Sequence, residues 1–95
     1  MTWGGVKEGP FMPPVTIYTT PWCPYCARAM ALLRRKGVDF EEIDASEPAV
    51  RQAMIERSQG GYTVPQIFIG DFHAGGCDDL HELDAKGELD RLLQS

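Results

Sequence analysis

The sequence predicts an α/β fold, a four-stranded mixed sheet flanked by helices in the order β-α-β-α-β-β-α-α. Three observations carry the prediction. The β-branched run Val15-Thr-Ile-Tyr-Thr19 is strand-like and gives way to the strong helix formers Ala27-Arg-Ala-Met-Ala-Leu-Leu-Arg-Arg-Lys36. A second strand-to-helix alternation follows from Asp39. Later, Gly70-Asp71 between two short apolar runs is a two-residue hairpin signal.

Met1 to Pro14 carry three glycines, three prolines and no periodicity, so residues 1–14 read as a mobile extension, with Met12 a candidate natural start. The fold then occupies residues 15–95. The first strand, Val15 to Thr19, leads through a turn to a helix from Pro24 to Lys36 that buries Ala29, Met30, Leu32 and Leu33 and is closed by Gly37. Asp39 to Asp44 reads as the second strand, with Phe40 and Ile43 on opposite faces. An intervening helix makes the first two strands parallel, with a right-handed crossover. Ser46 is the expected cap of the second helix, Pro48 suits its first turn, and Val50, Ala53 and Met54 recur at helical spacing. After Gln59-Gly60-Gly61 come the strand Gln66 to Ile69, the hairpin, and an antiparallel strand Phe72 to Ala74. A helix from near Cys77 to about Leu83 and a last short helix after Gly87, presenting Leu89, Leu92 and Leu93, complete the chain.

Ninety-five residues hold one small domain. With 43% apolar and 24% charged residues the composition is that of a soluble globular protein, and no apolar run approaches bilayer length, so no membrane partner is expected. The N-terminus lacks the basic flank and apolar core of a secretory signal. Three cysteines without such a signal point to a reducing, cytoplasmic setting in which a dithiol is catalytic. The net charge of −5 disfavours nucleic acid. That charge is unevenly spread: Val15 to Lys36 holds Arg28, Arg34, Arg35 and Lys36 and no acid, whereas residues 37–95 hold thirteen acids and four bases. Arg34, Arg35 and Lys36 complement the negative end of their helix, while Arg28, near the cysteines, is a candidate for thiolate stabilisation.

Cys23 and Cys26 sit where strand passes to helix. Unpaired N–H groups at a helix start favour an anion and lower a thiol's pKa. Pro24 fits the first turn and keeps Cys26 one turn away, within disulfide reach. A structural zinc site needs four ligands, and Cys77, His73 and His81 are poorly spaced to complete one, so no metal is expected. A structural disulfide would close too short a loop to constrain the unfolded chain much. A redox role is what such a pair at the helix start of a βαβ unit most often serves.

Cys23-Pro24-Tyr25-Cys26, Thr63-Val64-Pro65-Gln66 and Gly75-Gly76-Cys77-Asp78-Asp79-Leu80, in that order in so short a chain, resemble a glutaredoxin of the dithiol class, from about Val15 to Leu93. The resemblance implies a thioredoxin-like fold and a glutathione-dependent thiol–disulfide oxidoreductase, with glutathione as co-substrate and no permanently bound cofactor. Its partners would be glutathione and glutathionylated or disulfide-containing proteins, met as a monomer. Cys23 would attack and Cys26 resolve dithiol substrates. The implied glutathione site comprises Tyr25, Thr63, Val64, Pro65, Gly76, Cys77, Asp78 and Asp79, with a cis Val64–Pro65 bond.

Within that site, Val64 held extended before Pro65 offers backbone groups to the cysteinyl unit, and the helix start near Cys77 offers N–H groups to a carboxylate. Asp79, or else Asp78, would pair with the ligand's ammonium, although both also read as helix-start acids. Tyr25 would bound the pocket or touch protein substrates. The Cys77 thiol itself suits packing or regulation. Two departures stand out: Thr20 occupies a position where many glutaredoxins carry Lys, and the loop Ser58-Gln59-Gly60-Gly61-Tyr62 lacks basic residues. Both remove expected partners of the glycyl carboxylate. A thioredoxin-like reductase would share the fold without the Gly-Gly-x-Asp-Asp site, and an iron–sulfur carrier would use Cys23 with external glutathione in a dimer, which Pro24 and the second cysteine disfavour.

Overall fold

β1 (Val15–Thr19), buried at every position, is central because it has a partner on both edges. Val15 and Ile17 face one side and Tyr18 the other, as the two-residue period of a strand requires. The structure, a computed structural model, describes residues 13–94. The extension expected over residues 1–14 therefore lies, apart from Pro13 and Pro14, outside the described residues.

On one edge β1 pairs in parallel with β2 (Glu41–Asp44), from Thr16 opposite Glu41 to Thr19 opposite Asp44. On the other it pairs antiparallel with β3 (Gln66–Ile69), which turns through Gly70-Asp71 into antiparallel β4 (Phe72–Gly75). The sheet order is β2-β1-β3-β4. Among the described residues four helices flank it: α1 (Pro24–Arg35), α2 (Pro48–Arg57), α3 (Cys77–Ala85) and α4 (Glu88–Gln94). This is the expected β-α-β-α-β-β-α-α order, the thioredoxin-like arrangement.

Each face of the sheet carries its own core. On one, Val15, Ile17, Ile67 and Ile69 pack against Ala29, Leu32 and Leu33 of α1, Leu80 of α3, and Leu89 and Leu93 of α4. On the other, Tyr18 and Phe68 pack with Ala45 and with Met54 of α2. Phe40 joins the first cluster and Ile43 the second, so the two do face opposite ways, although Asp39 and Phe40 precede the paired strand.

Several local expectations are corrected. Ser46 does not cap α2: its N–H donates to Asp44 Oδ1 at 2.9 Å, and the cap position falls to Glu47 because Pro48 opens the helix. The Ser46 hydroxyl first, and its backbone N–H second, hold the Asp44 carboxyl below its ordinary range. Ala53 is exposed, and α2 buries a narrower stripe of Val50, Met54 and Ile55. α1 ends at Arg35 with Lys36 as its C-cap, followed by Gly37 at φ 73°, a left-handed conformation that glycine adopts freely. Lys36 does more than complement the helix dipole, since its Nζ lies 2.5 Å from Asp84 Oδ1 and 3.1 Å from Asp90 Oδ1. α3 runs to Ala85, beyond Leu83. No helix among the described residues is long and apolar enough to cross a membrane.

The two neighbours on α2 should separate sharply in stability. Met54→Ala is expected to cost about 2–5 kcal/mol through the cavity it leaves, and Ala53→Lys less than about 0.5 kcal/mol, in urea unfolding with unchanged m-values.

Candidate active site

The start of α1 is built around a sulfur. Cys23 is the N-cap residue, in extended backbone conformation, and Pro24 takes the first helical position where no N–H is required. The Cys26 N–H donates to Cys23 Sγ at 3.2 Å, the bond that a serine or aspartate side chain makes at an ordinary helix start. Cys23 is half-exposed, and its sulfur stands 4.0 Å from the Val64 carbonyl oxygen.

Cys26 is the opposite case, only 2% exposed. Burial first, then its hydrogen bond with Cys23, push its thiol up to about 12. The charges of Cys23 and Glu42 add to this against a lowering backbone bond from Thr20. Cys26 is therefore held as a thiol near neutral pH. Glu42 is held on β2 by Thr19, whose Oγ1 donates to Glu42 Oε2 at 2.8 Å.

Beside Cys23 opens a cavity of about 210 Å³ lined by Tyr25, Thr63, Val64, Pro65, Gly76, Cys77, Asp78 and Asp79. These are the eight positions that the sequence motifs single out, brought together from α1, the loop before β3 and the start of α3. The Val64–Pro65 bond is cis. At the α3 end, Asp79 Oδ2 accepts the Gly76 N–H at 3.0 Å, so this acid also closes the helix start. Gly75, at φ 95°, is required here because a Cβ would overlap the Asp79 carboxylate.

Arg28 is not in the cavity wall; its guanidinium lies 5.8 Å from the centre of the Tyr25 ring. Cys77 is buried, which raises its thiol pKa, while the charge of Arg28 works in the opposite direction. His81 Nδ1 donates to the Cys77 carbonyl at 2.9 Å and lies 3.5 Å from its sulfur. Among the described residues no group of three or more His, Cys, Asp or Glu could hold a metal ion.

Other contributors have no local signature. Gln66, 5% exposed, donates through Nε2 to the Thr63 carbonyl at 3.0 Å and accepts at Oε1 from His73 Nε2 at 2.6 Å. His73 in turn stacks on Phe68, 4.8 Å between ring centres, with Arg57 at 4.2 Å from the same ring. β4 thus steadies the cavity loop through one buried amide. Arg51, from α2, donates to the Tyr62 carbonyl at 2.7 Å and ties that loop to the helix. Gln66-Ile-Phe-Ile reads only as a short buried strand; the partners of its glutamine come from the β3–β4 register.

Residues 15–74 match the family model described as Glutaredoxin. A glutaredoxin from Pseudomonas aeruginosa is 58% identical over 84 residues, which cover 88% of this chain and all of that protein. The solution structure of glutaredoxin from Brucella melitensis superposes with a TM-score of 0.78 at 60% identity, over 90% of this chain and 95% of that one. The crystal structure of a buckwheat glutaredoxin–glutathione complex gives 0.76 at 32% identity, over 85% and 76%. With a capping cysteine, a buried second thiol and this degree of likeness across nearly the whole fold, the chain belongs to the glutaredoxin family as a dithiol, Cys-Pro-Tyr-Cys member, a glutathione-dependent thiol–disulfide oxidoreductase.

Proposed function

We propose that Cys23 is the nucleophile, Cys26 the resolving thiol and the adjoining cavity the seat of glutathione, within a domain spanning residues 15–95. The observation that carries this reading is the opening of the eight-residue cavity beside a half-exposed, helix-capping sulfur. Cys23 as thiolate attacks the glutathione sulfur of a mixed disulfide; a new S–S bond forms on Cys23 and the protein thiol leaves with the electron pair. A second glutathione thiolate then attacks the bound glutathione sulfur, releasing oxidised glutathione and restoring Cys23. For a protein disulfide, Cys23 forms the mixed disulfide with one substrate sulfur, and Cys26 displaces it once deprotonated.

Val64 presents backbone groups to the cysteinyl unit of glutathione, as an edge strand would. The first-turn N–H groups of α3 suit a carboxylate. The Asp79 oxygen not engaged with Gly76, aided by Asp78, faces the ammonium, and Tyr25 bounds the cavity beside the sulfur. Arg28 is the cationic neighbour of the reacting end. Thr20, lacking a charge, leaves the glycyl carboxylate with fewer partners. The protein works as a monomer in the cytoplasm on glutathionylated and disulfide-bearing proteins, without nucleic acid or membrane partners.

Three outcomes test these roles. Cys23→Ser is expected to abolish turnover, and Cys26→Ser to retain deglutathionylation while losing most protein-disulfide reduction; equal loss of deglutathionylation in both would reject the division of labour. Asp79→Ala should raise KM for a glutathionylated peptide about tenfold and cost about 1 kcal/mol of stability, because it removes both an ammonium partner and a helix-closing oxygen. Asp79→Asn keeps the oxygen and loses the charge, so its stability should recover while KM stays high. If KM returns with stability, Asp79 acts only on the helix.

The raised Cys26 pKa sets the pH dependence of resolution. Below that pKa the reactive thiolate fraction grows about tenfold per pH unit. Loss of the Cys23 charge in the mixed disulfide removes part of the elevation, but burial remains. Release of glutathione from Cys23 by Cys26, followed by mass spectrometry, should therefore accelerate steadily from pH 7 to 9. A rate already flat below pH 8 would show that Cys26 is not held as a thiol.

A further inference from the structure

Trp22 is 98% exposed, the residue directly before Cys23, and its backbone is left-handed at φ 61°. Such a conformation is unfavourable for a residue that carries a Cβ. A fully exposed indole recovers none of that cost through burial inside its own domain. It forms one wall of a groove of about 520 Å³, within the ~300–1,000 Å³ typical of binding clefts. Pro21, Met30 and Cys26 line it too, and among the described residues Glu42 is the one charged side chain in its lining. The groove shares no lining residue with the cavity beside Tyr25 and Asp79, yet Cys23 stands in its wall.

We propose that this groove docks the polypeptide half of a protein disulfide: an extended segment with an apolar side chain against Trp22 and Met30 and a Lys or Arg directed to Glu42. The inference rests on Cys23 as nucleophile and adds a second recognition surface to it. Once Cys23 is joined to a substrate cysteine, the two Cα atoms lie roughly 5.5–6 Å apart, and the residues flanking that cysteine follow at about 3.8 Å each. They must therefore cover the ground next to Cys23. On one side that ground is the polar cavity; on the other it is this apolar groove.

Charge selects the occupant. Glutathione brings two carboxylates, which the Glu42 carboxylate repels, whereas a cationic side chain gains both Glu42 and the indole face of Trp22. Tryptophan is also the residue type most enriched among binding hot spots. Because the approach leaves the glutathione cavity clear, the polypeptide can remain in place while glutathione enters from the other side.

The Cys26→Ser protein, first converted with oxidised glutathione to its Cys23–glutathione mixed disulfide and then equilibrated with reduced glutathione and single-cysteine thiol peptides of equal length, tests this. Mass spectrometry reads how much peptide displaces glutathione from Cys23. A peptide with Leu and Lys beside its cysteine is expected to be favoured about tenfold over one with Ser and Gly, and over one with Leu and Glu. Adding Trp22→Ala should reduce the first preference below about threefold; an exposed side chain at this position puts folding at no risk, and Trp22→Gly, which also relaxes the backbone, should do the same. Adding Glu42→Gln should remove the preference for Lys over Glu and leave that for Leu, and high salt should imitate it. Exchange within twofold for all three peptides, or selectivity that survives Trp22→Ala, overturns the inference while leaving Cys23 as nucleophile. Failure of any mixed disulfide to form on Cys23 overturns both.

Discussion

The bond from the Cys26 N–H to the Cys23 sulfur ties the chemistry of the protein to its architecture. It exists because α1 begins immediately after the redox turn, and α1 is aimed by β1, the buried central strand that precedes it. The same 12-residue helix buries Ala29, Leu32 and Leu33 against the sheet, so the position of the sulfur is fixed by packing a full turn or more away. One helix thus orders the two thiols differently: the capping residue meets solvent, and the residue three places on turns inward. That asymmetry follows from helical periodicity before any charge is considered.

Local chemistry made much of this legible in the sequence. The strand before Cys23, the proline after it, the Gly70-Asp71 hairpin and the opposed Phe40 and Ile43 are signals carried by neighbouring residues, and the structure places them accordingly. The motif positions from Tyr25 to Asp79 are far apart in the chain yet meet in one cavity. What local reading missed lies in competition and register. Ser46 is a good cap by type, but Asp44 claims its N–H and Pro48 sets the helix start one residue later. Ala53 fits a helical stripe by spacing, but only Val50, Met54 and Ile55 reach the sheet. The bonds from His73 through Gln66 to Thr63 depend on which β4 residue comes opposite which β3 residue, and a register shift between Ile67 and Phe68 decides that.

Asp79 shows how one carboxylate has room both for the helix start and for the ammonium proposed to meet it. Its Oδ2 is committed to the Gly76 N–H, and the absence of a Cβ at Gly75 gives the carboxylate room. A helix-start acid and a ligand-facing acid are therefore not rival descriptions of this residue. A carboxylate has two oxygens and about four acceptor sites, so one oxygen can close the helix while the other stays available. Pre-setting the carboxylate in this way removes the rotamer freedom that a ligand would otherwise have to quench.

Lys36 and Asp84 join the two helices that carry the site at the ends away from it. α1 and α3 pack together, and each points its N-terminus at the cavity, one carrying the sulfur and the other Asp79. Their opposite ends are pinned where Lys36 meets Asp84, with Asp90 of α4 on the same ammonium. As a partly exposed contact the pin adds little stability. It lies about 18 Å from the cavity end along the 12 residues of α1 and about 13 Å along the nine of α3. The ion pair therefore marks the closed end of a wedge whose open end is the cavity, and the apolar packing between them holds sulfur and carboxylate apart.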